Sequence, residues 1–228
     1  MIDPARLQQV ALLHEDDDIA VLVKPPGLAV HGGAGETKKT LLDVLGQADP
    51  STSWTLVHRL DKATSGVMVV AKSAAVASSL AAQWDSTQKN YVALAFGHMS
   101  ATTITRPIVD KHGNKQSAVT QVTSAQPLAS TTLLHITLHT GRKHQIRRHL
   151  ADAGHPIAMD DKYGDFRRNK AFVRAVREQG APRPKHLFLA AVRLVLADGR
   201  TFDAPLYDVW RAVLEAEGSA VDELAFLT

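Results

Sequence analysis

Residues 131–154 read TTLLHITLHTGRKHQIRRHLADAG, and the hydrophobic rhythm changes half-way along them. From Thr131 to Thr140, β-branched and apolar residues alternate as in a strand. With the similar run SAVTQVTSA at 117–125 they predict two paired strands. From Arg142 onward, Ile146, Leu150 and Ala153 fall on one face at helical spacing, and Gly154 supplies a stop signal. Earlier in the chain, IAVLVKPPG (19–27) reads as a strand ended by a Pro-Pro-Gly turn, and WTLVHR (54–59) and GVMVVAK (66–72) read as further strands. SAAVASSLAAQWDST (73–87) predicts a helix with Ser73 as its N-cap, and KNYVALAFG (89–97) another strand. Near the end, KHLFLAAVRLVLA (185–197) and RTFDAP (200–205) predict a hairpin through Asp198-Gly199, and YDVWRAVLEAEG (207–218) a closing helix. Strands and helices mix without a βαβ rhythm. The expected class is α+β, a largely antiparallel mixed sheet flanked by helices and loops.

The chain has 228 residues, 45% of them hydrophobic, enough for one substantial core, so a single globular domain over residues 1–228 is expected. There is no cysteine, which removes disulfides, thiolate nucleophiles and cysteine-ligated metal centres. No apolar run approaches the ~20 residues of a membrane span, and MIDPARLQQV lacks the character of a signal peptide. A cytoplasmic monomer without membrane contact is expected. The charge is uneven. His139 to His186 holds twelve Lys or Arg against five Asp or Glu, a balance of +7 that leaves −4 for the rest of a chain whose total is +3. A basic stretch of this kind suits the phosphate backbone of a nucleic acid, and a solvated helix face is its plain alternative.

Several candidate chemistries can be weighed on spacing. His144 and His149 are five apart and do not share a helix face as an i, i+4 metal pair does; no H-E-x-x-H occurs, so no metal site is expected among His135, His139, His144, His149 and His155. Gly32, Gly33 and Gly35 lack the Lys-Ser/Thr that closes a phosphate-binding loop and read as a flexible segment. Ser65 sits in TSGVM, which is not G-x-S-x-G. HRLDKATSG, residues 58–66, differs from these because it sets one carboxylate, Asp61, between Arg59 and Lys62 on a loop joining two strands. Taken alone, a carboxylate that hydrogen-bonds its own turn is the favoured account. The other is an ionised carboxylate serving as nucleophile or base.

HRLDKATSG resembles the H-R-L-D-x-x-T-S-G signature of the RluA family of pseudouridine synthases, enzymes that isomerise uridine within RNA. KPPGLAVHGG, KNYVAL and TGRKHQIRRHL are similar to further segments of that family, and GHPIAMDDKYGD and LFLAAVRL follow in family order and spacing. The resemblance runs from about Glu15 to Trp210. It implies Asp61 as the catalytic aspartate, Tyr91 as the aromatic residue on which the target base stacks, and Arg147 as the partner of Asp61. Arg59 would fill the space of the extruded uridine and Leu189 would pack beneath the catalytic group. His58, Thr64, Arg142, Lys143, His144, Arg148 and Lys162 complete the implied RNA-contacting set. No cofactor is implied, because the isomerisation has no redox change and no net hydrolysis. Attack of Asp61 at C1′, attack at C6 and removal of the C2′ proton all stay open.

Two departures from the family pattern stand out. Ala190 replaces a histidine common in the family's L-F-L-H-A, and no S4 RNA-binding domain precedes the catalytic motifs, so either this member works without one or the chain is truncated. VHGGAG and HPIAMDDKYGD resemble the branch that modifies large-subunit ribosomal RNA, whereas GDFRRNK and TGRKHQIRRHL are closer to a transfer-RNA branch. Ribosomal RNA is the favoured partner and transfer RNA the alternative. A non-catalytic RNA-binding module, or a hydrolase working through Ser65, would not need Asp61, Tyr91 and Arg147 together.

Overall fold

A computed structural model describes residues 1–32 and 39–219. The glycine-rich stretch expected to be flexible therefore lies, from Gly33 onward, outside the described residues. In chain order the elements are β1 (Ala11–Glu15), β2 (Ile19–Lys24), α1 (Leu41–Ala48), β3 (Thr55–Leu56), β4 (Ser65–Ala71) and α2 (Ala74–Ala82). There follow β5 (Gln88–Phe96), β6 (Thr102–Ile104), β7 (Ile108–Val109), β8 (Lys115–Gln116), β9 (Thr120–Pro127) and β10 (Thr131–Leu138). The last are α3 (Gln145–Asp152), α4 (Phe166–Glu178), β11 (Leu189–Val195), β12 (Thr201–Asp203) and α5 (Asp208–Ala216). The α+β class and the antiparallel pairing are those expected. No helix among the described residues is long and apolar enough to cross a membrane.

The described residues form two compact units, one within Met1–Gln88 and Arg193–Ala204, the other within Lys89–Val192 and 205–219. In the first, β2 pairs antiparallel with β1 and β4, β3 pairs with β4, and the end of β11 pairs with β12. Every residue of β2 and β4 is buried, which explains why both read as continuous apolar runs rather than alternating ones. Thr40 caps α1 through a reciprocal pair with Asp43, and Ser73 caps α2 by accepting from the Val76 amide at 3.3 Å. WTLVHR is a strand only at Thr55–Leu56; from Val57 the chain leaves the sheet to make the loop that carries Asp61.

In the second unit the order is β5-β10-β9-β6, with β7 and β8 as a separate ribbon. The predicted pairing of the two β-branched runs is β9 with β10, with a bulge where His135 opposes Ser124 and Ile136 opposes Val122. The alternation read in β10 is largely erased: the strand is paired on both edges and buries all but His135 and Thr137. α3 begins at Gln145 rather than Arg142; Ile146 and Leu150 are buried as expected, but Ala153 is an exposed C-cap. The Glu217 side chain, next to the end of α5, is buried and accepts from the amides and hydroxyls of Ser130 and Thr131 at 2.9–3.0 Å.

Candidate active site

In the first unit the loop holding Asp61 is braced by a lysine that the sequence did not single out. Lys24 ends β2 opposite Gly66, whose φ of +118 suits a residue without a Cβ. Its side chain is fully buried, and Nζ donates to the carbonyls of Pro25 (2.9 Å), Leu28 (2.9 Å) and Lys62 (3.3 Å). Three acceptors match the three protons of an ammonium. Burial nevertheless pulls the Lys24 pKa from 10.5 down to about 7, opposed by the negative charge of Asp61. The carbonyl of Lys62 also accepts from the Gly27 amide at 2.7 Å, so the Pro-Pro-Gly turn and the Asp61 turn are fastened to each other. Thr64, buried, closes the loop by donating its amide to the Asp61 carbonyl at 3.1 Å.

The remaining residues of this loop separate by exposure. Asp61 is half-buried, whereas its chain neighbours Arg59 and Lys62 are exposed. His58 accepts from the Val69 amide through Nε2 at 3.1 Å and stacks on Trp84 with 4.5 Å between ring centroids. That makes His58 an anchor of the loop.

In the second unit the expected RNA-contacting residues cluster at the start of α3. His144 enters the helix in the left-handed region, at φ +54, with no side-chain cap of its own. Gln145 provides the fastening: its Oε1 accepts from the Thr140 hydroxyl (2.8 Å) and the Arg142 amide (3.0 Å), and its Nε2 donates to the Val119 carbonyl and to Thr120. Nothing in the hydrophobic pattern marks this residue, because its role is polar and local.

Arg147 is buried and makes a two-pronged contact with Asp160, Nε and a terminal nitrogen each donating at 2.8 Å. Asp160 accepts as well from the amides of Lys162 and Tyr163, both at 2.9 Å. Burial opposes its charge, but these hydrogen bonds and the Arg147 guanidinium hold the Asp160 carboxyl below its ordinary range. The Tyr163 hydroxyl pairs with His144 Nδ1 at 2.9 Å, and the Arg147 guanidinium lies 5.2 Å from the Tyr163 ring centre. Gly164 donates to the Asp160 carbonyl, and a Cβ placed there would lie 2.3 Å from that oxygen. By contrast a Cβ on Gly141, in the TGR turn, would meet nothing within 4 Å.

Arg142 and Arg148 are tied to the carbonyls of Ser117 (3.1 Å) and Val109 (2.9 Å), while Lys143 and Lys162 are exposed. Tyr91 is half-buried on β5 opposite Ile136, and Leu189, the first residue of β11, is buried. His149 is structural: Nε2 donates to the Arg106 carbonyl at 2.8 Å, Nδ1 pairs with Thr120 at 2.9 Å, and burial lowers its pKa. Among the described residues no group of three or more His, Asp or Glu is placed to hold a metal ion.

A family model described as RNA pseudouridylate synthase matches residues 18–152, which include the Asp61 loop, Tyr91 and Arg147. The chain belongs to the RluA family of pseudouridine synthases. It is 36% identical over 169 residues to the ribosomal large subunit pseudouridine synthase D of Nitrosomonas europaea, covering 67% of this chain and 49% of that protein. It is also 36% identical over 217 residues to the ribosomal large subunit pseudouridine synthase C of Salmonella typhi, covering 86% of this chain and 66% of that one. The chain thus spans about half to two thirds of the length of these curated relatives. Among solved structures, human RNA pseudouridylate synthase domain containing 4 is similar with a TM-score of 0.77 and 28% identity, over 93% of this chain and 94% of that one.

Proposed function

We propose that this RluA-family chain converts uridine to pseudouridine in structured RNA, with Asp61 as the catalytic carboxylate. The observation that carries the reading is the place of Asp61 in the family signature, on a closed loop beside a buried lysine. In the reaction the C1′–N1 bond of uridine breaks, the uracil turns, C1′ bonds to C5, the C5 proton leaves to water, and N1 takes up a proton in its place, so the composition is unchanged. No electrons are exchanged. Asp61 supplies the one reactive group, Tyr91 a flat face for the uracil, and Arg147 a guanidinium that orients charge. The target must leave its stack at a cost of a few kcal/mol, and Arg59, exposed on the same loop, offsets part of this by occupying the vacated space. The names of the curated relatives support large-subunit ribosomal RNA as substrate.

Asp61→Asn keeps the size of the side chain and removes its charge. It is expected to bind RNA within a few fold of the parent, since affinity rests mainly on phosphate contacts, while tritium release from 5-labelled uridine falls to background. Release near the parent rate would reduce Asp61 to a turn former. Pseudouridine mapping of ribosomal and transfer RNA from cells with and without the protein identifies the substrate.

A further inference from the structure

The basic stretch has a face that the proposed catalytic set leaves unused. Helix α4 buries Asn169, Phe172 and Val176. About a quarter turn round the helix from these, Phe166, Lys170, Val173 and Arg177 follow at spacings of four, three and four, one continuous stripe of an α-helix. An open groove of about 510 Å³ lies along it, lined by Lys170, Val173, Arg174, Arg177, Glu178 and Arg183. These residues carry four positive charges and one negative; Glu178 is ion-paired to Arg174 at 2.8 Å, so the groove has a net charge of +3. At the start of the stripe Phe166 is 81% exposed, the one aromatic among the large hydrophobic side chains that are exposed in the described residues. A lone exposed apolar residue needs no explanation; an exposed ring in line with a cationic groove has the two parts of a single-strand nucleic-acid track, a stacking face and a phosphate path.

We propose that this face of α4 is a second RNA-binding track, in which an unpaired base stacks on Phe166 and the neighbouring phosphates lie along Lys170, Arg174, Arg177 and Arg183. From Phe166 to Arg177 the helix rises about 16 Å, room for several nucleotides. The track deepens the RNA-modifying reading and rests on it: it would hold a single-stranded segment flanking the target and so favour uridines beside unpaired RNA.

The test uses the full chain and a synthetic RNA stem-loop with or without a single-stranded tail of about ten nucleotides, a length within the usual single-strand site sizes. Lys170→Gln/Arg177→Gln/Arg183→Gln is expected to lower the slope of log affinity against log salt for the tailed RNA by about two. Matched removal of three exposed cations elsewhere, Arg6, Arg193 and Arg211, should leave the tail-dependent part of the slope in place. Phe166→Ala should weaken tailed binding about tenfold with the slope unchanged, and Phe166→Tyr should restore it. Equal slopes for the groove and control variants, or parental affinity in Phe166→Ala, overturn the proposal. Pseudouridine formation by the parent is measured in parallel, so failure of the catalytic reading registers separately from failure of the track.

Discussion

A lysine without exposed surface is rare, and Lys24 is tolerated because three carbonyls surround its ammonium and Asp61 supplies opposite charge. Its pKa is lowered in the folded chain, so between about 7 and 10.5 the unfolded chain binds more protons than the folded one. Stability should therefore rise with pH across this window and be flat in this respect below it. Urea midpoints should show the rise in the parent and lose it in Lys24→Met, which is also expected to be about 2–4 kcal/mol less stable because buried carbonyls lose their donor. Arg59 and Lys62 stand out in the sequence because they flank Asp61, and both are exposed, whereas Lys24 is buried. Lys24 was out of reach of that reasoning: closeness in a sheet, Lys24 opposite Gly66, is not closeness along a chain. The role proposed for Asp61 rests on the motif, since the local pattern taken alone favours an ordinary turn.

Among the elements, α3 and the turn after it show how polar contacts shift boundaries that hydrophobic spacing predicts. Ile146 and Leu150 placed the helix correctly, but its first turn is replaced by the Gln145 contacts, so Arg142 to His144 form a turn. In the same way WTLVHR has the composition of a longer strand than it forms. Asp160 escaped notice because HPIAMDDKYGD offers two adjacent aspartates and no period to choose between them. Asp160→Asn removes the charge from the two-pronged contact with the buried Arg147 guanidinium and should lower stability by about 1–3 kcal/mol, measured by denaturant unfolding. The carboxyl is held below 3.8, so its stabilisation is complete above that value and fades as pH falls through the lowered one. Acid unfolding of the parent should accordingly be steeper than that of Asp160→Asn.

For the molecule as a whole, the α+β class and the antiparallel pairings followed from pattern alone, and the six motif segments fall in family order along the chain. What the pattern missed were elements whose signals are polar or masked by neighbours: α1 opens with the Thr40–Asp43 capping pair, and α4 follows Asp165, which caps it through the Arg167 and Arg168 amides. The burial of β10 on both faces likewise depends on what packs against the sheet, which a single strand's composition does not disclose. Long-range fastening is also invisible in the sequence, and the buried Glu217 is the clearest case. Glu217→Ala should leave the Thr131 amide and hydroxyl without their acceptor and lower the thermal midpoint by several degrees, an effect of about 2–3 kcal/mol read by calorimetry.

The two motif glycines near α3 face opposite fates in a saturation library. An alanine methyl at position 164 would press into a backbone oxygen, so such clones should vanish from any screen that counts intact protein. Position 141 has room for a side chain and no positive φ, and its variants should persist in that screen. If they then drop out when clones are sorted by modified RNA, the loss reports what the substrate demands of the TGR turn, because the fold demands nothing there.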